Sequence, residues 1–367
     1  MQIKKQVVTQ LTKCYSLAET EYAGETAYLV ASEKQYPCIV ASADGRILDK
    51  VWDGPGGVMT METLEDGSGA FLATHRFYSP NDSARASIVL AQPVADKWSV
   101  RTLCSLPFVH RFGILKRGGK RYVVAATLKS AHAFKDDWTC PGKVWVGQLP
   151  EDLSEISEEN PLELSPLISG LYRNHGFFKY EENGHTECLI GADNGIYKVT
   201  PPDVGGEWQY EQIFSDPASD MLYADFDGDG EKELLVFSPF HGETLTVYKS
   251  CNGCFEAVYR VDHPLPFLHA LAPCRWNGRD AAVVGHRKGA RDLLMISCQN
   301  GVYRCDAIDH NVGSANVLCR ARDDQLWVLS ANREIDEVAM YTVSPSRIIS
   351  ILFRVSGNYA IGIFCCG

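Results

Sequence analysis

The sequence predicts an all-β fold, a seven-bladed β-propeller of four-stranded antiparallel blades, and three observations predict it. Helical periodicity is scarce along the 367 residues, whereas short β-branched and aromatic runs are broken throughout by Gly, Asn, Asp and Pro. The runs come in fours with a repeat of about 40 to 50 residues, the spacing of propeller blades. Two distant stretches echo each other, GADNGIYKV at Gly191 to Val199 and SCQNGVYRC at Ser297 to Cys305. The repeat is degenerate: seven is the count, and rings of six or eight fit the same spacing.

The elements follow in order as one propeller domain over residues 1–367. Residues 8–53 form the first blade, with AYLVA, CIVAS and ILDKVW as three of its strands. Residues 54–106 follow the Gly54-Pro55-Gly56-Gly57 break and hold VMTME, AFLATHRF, ASIVLAQ and WSVRTL. The third blade, 107–170, reads HRFGIL, YVVAATL, KVWVGQL and, beyond an acidic loop, LELSPLI. HGFFKY, ECLIGA, GIYKVT and WQYEQIF make the fourth, 171–217. The fifth, 218–263, pairs two short apolar runs with LTVYKS and FEAVYRV; the sixth, 264–310, holds LHALAPC, AAVVGH, LLMISC and GVYRCDA. ANVLCRA, QLWVLSA and EVAMYTV begin the seventh, 311–367, with IISILFRV as its fourth strand and SGNYAIGIFCCG closing it.

Composition bounds the function. A net charge of −11 without a run of Lys or Arg excludes a surface that tracks phosphates, so nucleic acid is not an expected partner. MQIKKQVVTQLTKCYS has no apolar stretch of signal-peptide length, and no segment approaches the roughly 20 apolar residues of a membrane span. Thirteen cysteines, an odd number scattered through strand-like runs, suit reduced thiols better than a disulfide framework. The expectation is a soluble, cytoplasmic chain with no membrane partner. Cys251 and Cys254 form a lone C-x-x-C around Asn252-Gly253, most simply a hairpin turn.

In the fifth blade, SDMLYADFDGDGEKELLVFSPFH places Asp225, Asp227, Asp229 and Glu233 at alternate positions around glycines. Oxygen ligands spaced this way suit a hard cation, and Ca2+ is the expected structural ion. An EF-hand needs a bidentate Glu at the twelfth position and flanking helices; Val236 stands there, and the flanks read as strands. The stretch resembles the integrin-type calcium-blade repeat, also called FG-GAP, over about one blade.

Residues just before the first strand and just after the second strand of every blade converge on one face. His110, Asn174, His175, Asp220 and His269 lie at the first position; His75, Arg76, Lys129, His132, Asp193, His241, His286 and Arg287 lie at the second. A lone His beside a strand is ordinarily a packing residue, but seven of the ten histidines on one face predict a site. His75, His110, His175, His241 and His286 are the expected ligands or acid/base groups. The last four could share a divalent transition metal such as Zn2+ or Mn2+. Arg76, Arg111, Lys129, Asn174, His269 and Arg287 are expected to bind substrate, with Arg111 following His110 as a carboxylate clamp. Trp138, in the loop FKDDWTCPG, is a candidate platform for a sugar ring.

A cation beside a carboxylate or ketone stabilises the enolate formed when the neighbouring C–H proton leaves, and a His of near-neutral pKa is a competent base. Together these parts predict β-elimination on a uronic acid or keto-sugar. The ensemble resembles the propeller carbohydrate lyases of the rhamnose–glucuronate and oligogalacturonate lyase type and the propeller of aldos-2-ulose dehydratase. That resemblance implies seven blades, a channel-mouth site with histidines and a divalent ion, with a small carbohydrate or glycoside as partner. Two alternatives stay open: a glycoside hydrolase using carboxylates among Asp136, Asp137, Asp193 and Asp220, and a non-catalytic propeller that binds a glycan or protein.

Overall fold

The structure, a computed structural model, describes residues 1–345 and the backbone of two further strands, Ile348–Val355 and Asn358–Cys365. Seven four-stranded antiparallel sheets follow one another around a ring, six of them pairing their strands in chain order from the inside outward and the seventh taking its outer strand from the N-terminus. The inner strands are Cys14–Tyr22, Met61–Thr63, Val109–Arg117, Gly176–Glu182, Asp220–Ala224, Leu268–Trp276 and Asn316–Arg322.

Apolar runs explain the layering. Second strands such as Phe71–His75 (FLATH) and Arg279–His286 (RDAAVVGH) lie between neighbouring sheets and are buried on both faces, so their residues are apolar without alternation. Outer strands face water on one side and stay polar, as in Cys254–Arg260, which is mostly exposed. A hydrophobic cluster fills each gap between adjacent sheets; Leu72, Ile88, Phe112 and Val123 belong to the one between the second and third. The ring closes on itself through a cluster in which Tyr28 and Val30 meet Leu329 and Val338.

One expected strand is replaced. The outer strand of the seventh sheet is Gln2–Gln10, antiparallel to Glu337–Ser344 with Gln2 opposite Ser344 and Gln10 opposite Glu337. Val8 therefore belongs to the seventh sheet and not to the first, which begins at Cys14. IISILFRV is not the fourth strand of the seventh sheet: Ile348–Val355 pairs with Asn358–Cys365 in a separate two-stranded ladder. The physical reason is that QIKKQVVTQ is a solvent-facing outer strand, and a ring has no free edge if its two ends share a sheet. Cys366 lies outside the described residues.

Cys251 and Cys254 do flank a hairpin turn, with Asn252 and Gly253 both at positive φ (52° and 81°). Every cysteine whose side chain is described is a free thiol.

Candidate functional site

The inner strands begin alike, and that repetition builds the site. Lys13, Phe108, Arg173 and Phe267 all adopt positive φ, as do Gly57 and Gly313 in their own sheets. Two residues beyond each stand Tyr15, His110, His175, His269, Met59 and Ala315. At Tyr15, His110 and His269 the inner strand bulges against the second strand, so each side chain is an extra residue re-aimed by the bulge. The turn of the ring then gathers side chains that are far apart in sequence.

Four histidines form one cluster. The rings of His110 and His175 lie 4.5 Å apart, His175 and His241 5.0 Å, His175 and His269 5.5 Å, and His241 and His269 5.5 Å. His241 is stacked between Phe240 at 3.9 Å and Phe267 at 4.2 Å. The ligand nitrogens of His175, His241 and His269 all lie within 4.8 Å of one another.

Hydrogen bonds preset the tautomers. His175 Nδ1 is 2.9 Å from the Ser219 carbonyl, and His269 Nδ1 is 2.7 Å from the Ala315 carbonyl on the next sheet. A carbonyl can only accept, so each Nδ1 carries the proton and each Nε2 keeps its lone pair, the arrangement that metal-ligating imidazoles use. The Nε2 atoms of His175 and His241 are buried without a hydrogen-bond partner. His269 Nε2 accepts from the Tyr15 hydroxyl at 2.9 Å.

Burial pushes all four imidazoles down, His175 to about 3, and Arg111 lowers it further; His110 and His241 are also depressed by the His175 ring, and His269 by Arg287. The cluster is neutral near pH 7. Burial also pushes the Tyr15 phenol up to about 12 and the Asp220 carboxyl up to about 6, with Arg111 opposing the shift at Asp220. Arg111 crosses the channel and makes only long contacts: 3.4 Å to the Met59 carbonyl, 3.5 Å to Asn316 Oδ1 and 3.9 Å to Asp220 Oδ2. Its Nε is buried without a partner.

Other expected site residues are engaged elsewhere. His286 accepts the Asp292 N–H at 3.0 Å through Nε2 and bonds the Lys288 carbonyl at 2.9 Å through Nδ1, so both nitrogens are used in its own loop. His75 packs edge-on to Trp52 at 4.5 Å, and burial lowers it to about 4. Arg287 is held by Glu334 at 2.9 and 2.8 Å, and Arg76 is exposed. Asn174 is fully buried, donating to the carbonyls of Thr127 and Lys143 at 3.3 and 3.0 Å, and so staples the third sheet to the fourth. Trp138 lies 5.3 Å from Phe240, one ring away from the histidines, and borders a cleft of about 330 Å³ with Tyr172, Arg173, Asp193 and Asn194. Lys129 sits 4.4 Å over Trp138. Among the carboxylates, Asp193 pairs with Arg173 at 2.7 Å, and Asp137 is bonded to Ala133 and Thr139 of its own loop.

Tyr15 was not legible as a site residue. Its aromatic ring reads as core, and its only sequence signal is its place two residues after the left-handed Lys13, which the turn composition does not mark.

At the fifth-sheet hairpin, Asp225, Asp227 and Asp229 do converge. The Lys249 ammonium already lies on these oxygens, 2.5 Å from Asp227, 2.6 Å from Asp229 and 3.2 Å from Glu233. Asp225 accepts from the N–H groups of Gly228 at 2.6 Å and Gly230 at 3.0 Å, and Glu233 from Phe226 at 2.8 Å. A Ca2+ ion bound by these carboxylates would have to displace the Lys249 ammonium.

Fold and site define a β-propeller with a buried, neutral imidazole cluster at one end of its ring. No protein-family model matches the chain, and no curated protein matches it in sequence. Among solved structures it is similar to the Cps50 (Swd1) β-propeller domain of Myceliophteria thermophila, with a TM-score of 0.59, 10% identity, and coverage of 93% of this chain and 100% of that one. A putative 6-phosphogluconolactonase from Bacteroides uniformis aligns at a TM-score of 0.48 and 10% identity, over 95% of this chain and 94% of that one. At such identity the likeness is one of fold. No helix among the described residues is long and apolar enough to cross a membrane.

Proposed function

We propose that the chain is a metal-assisted carbon–oxygen lyase acting on a uronic acid or keto-sugar at the histidine end of the ring. The observation that carries this reading is the convergence of His175, His241 and His269, whose ligand nitrogens lie within 4.8 Å of one another. Three neutral imidazoles, two of them fixed by backbone carbonyls, suit Zn2+ or Mn2+ with a position left open. His269 joins once Tyr15 releases its Nε2. A divalent ion held there would polarise a substrate carboxylate or keto oxygen and stabilise charge developing on it.

The chain's own residues supply the rest. Arg111, with its Nε free of partners, is placed to clamp a carboxylate. Asp220, 3.9 Å from Arg111, takes the proton from the carbon next to that carboxylate. The released electron pair forms the C=C bond as the C–O bond breaks, and protonated Asp220 returns its proton to the departing oxygen, which leaves as an alcohol. Asp220 is the better base because its carboxyl sits at about 6, against about 3 for His175. The aromatic cleft of Trp138 and Tyr172 suits a ring of the sugar.

The test joins metal analysis after loading with Zn2+ or Mn2+ to absorbance at the unsaturated-uronate or enone band across a panel of uronates and keto-sugars. Metal retention and a rising band, both lost in His175→Ala and His241→Ala, support the reading. A metal-loaded protein that yields no chromophore from any substrate would sink it.

A further inference from the structure

A second cavity lies apart from the histidines. It measures about 660 Å³ and opens between the second and third sheets, under the segment 157–164. That segment is held in place: Arg101 donates to the carbonyls of Leu153 and Ile156, and the Leu162 N–H donates to the Leu103 carbonyl at 2.8 Å. Ile156 and Leu162 are themselves buried in the hydrophobic cluster below. The roof is thus a packed part of the fold, and the space beneath it is built in.

The lining is unequal. Leu103, Leu106, Leu162, Leu164 and Trp145 make an apolar wall, and two lysines stand among them. Lys129 is 1% exposed, and its ammonium meets the Asp137 carbonyl at 2.9 Å and the Trp138 ring at 4.4 Å. Lys143 lies 5.3 Å over the Trp145 ring. Neither lysine forms an ion pair among the described residues. The nearby acids reach Lys129 only through space, where Asp137 and Asp136 partly offset its burial: Asp137 turns its carboxylate to Ala133 and Thr139, Asp136 is bonded to Asn81, and Glu158 is exposed at the mouth. A chain of net charge −11 thus lines this cavity with two lysines that no carboxylate contacts directly among the described residues. A buried ammonium is ordinarily in direct contact with an anion, and a carboxylate entering this cavity would supply that contact.

We infer that this cavity binds a small organic carboxylate with an apolar body, its carboxylate between Lys129 and Lys143 and its body against Leu103, Leu106, Leu164 and Trp145. The site is separate from the histidine cluster and needs no metal. It is an accessory site on the flank of the ring.

Isothermal titration with 4-phenylbutyrate and its uncharged counterpart 4-phenylbutanol tests it. The carboxylate binds at least tenfold tighter than the alcohol, and Lys143→Met and Lys129→Met each erase that preference while the alcohol still binds. Leu164→Trp, which fills the space, abolishes both. Lys143 is only half-buried, so its variant decides the matter even where Lys129→Met disturbs the loop. Absence of binding by either probe, or a preference for the carboxylate that survives Lys143→Met, overturns the inference.

Discussion

The Tyr15 hydroxyl donates to His269 Nε2 at 2.9 Å, which places a phenol from the first sheet on the one Nε2 of the His175, His241 and His269 group that already has a partner. Tyr15 therefore competes with any ion for His269. Tyr15→Phe removes a buried hydrogen bond and costs the metal-free protein about 1 kcal/mol. Because that bond stabilises only the metal-free state, Zn2+ affinity rises by up to about fivefold, measured by competition with a chromophoric chelator. Unchanged or weaker Zn2+ binding in the variant would show that the hydroxyl does not compete.

The buried imidazoles make the protein acid-sensitive. His175 titrates at about 3 folded against about 6.5 unfolded, and His110, His241 and His269 are lowered in the same direction. Below about 6.5 the unfolded chain takes up protons that the folded chain refuses, so this stability is present above pH 6.5 and is lost as the pH falls. Melting temperatures from pH 8 to 4 should drop steeply below 6.5, and His175→Gln should flatten the drop. A profile that is level down to pH 4.5 would contradict the burial of these rings.

Asp220 acts in the opposite pH range. Burial raises its carboxyl from 3.8 to about 6, so the folded protein disfavours its ionised form, and stability falls as pH rises from about 4 to 6. Asp220→Asn should stabilise the protein at pH 7.5, by at most roughly 3 kcal/mol at about 1.4 kcal/mol per unit, and leave it unchanged at pH 4. The same variant should abolish elimination while retaining Zn2+. An Asp220→Asn protein of full activity would remove the carboxylate from the proposed chemistry.

Lys249 is expected to make the fifth-sheet hairpin independent of calcium. Neither EDTA nor millimolar Ca2+ should move the melting temperature of the natural chain, whereas Lys249→Met, which leaves Asp227, Asp229 and Glu233 facing one another, should lose stability and regain it with Ca2+. Marked stabilisation of the unsubstituted chain by Ca2+ would return the hairpin to the metal-bound form that its sequence resembles.

Much of this molecule is written locally. Runs such as AAVVGH and YVVAATL are apolar because they lie between sheets, and turn residues mark their ends, so most strand positions can be read along the chain. The convergence of His110, His175, His241 and His269 on one face follows from the same alternation of inner and second strands. What sequence alone could not decide depends on partners far away. Gln2–Gln10 closes the seventh sheet because a ring must pair its two ends, a constraint with no signature in a local window. His286 and Arg287 fall at the same register as the clustered residues yet are taken up by Asp292, Lys288 and Glu334, while Tyr15 and Lys249 enter through contacts 254 and about 20 residues distant in the chain. Periodicity reports which face a side chain leaves from; which atoms it meets there is settled only when the sheets have turned around the axis and fixed every neighbour.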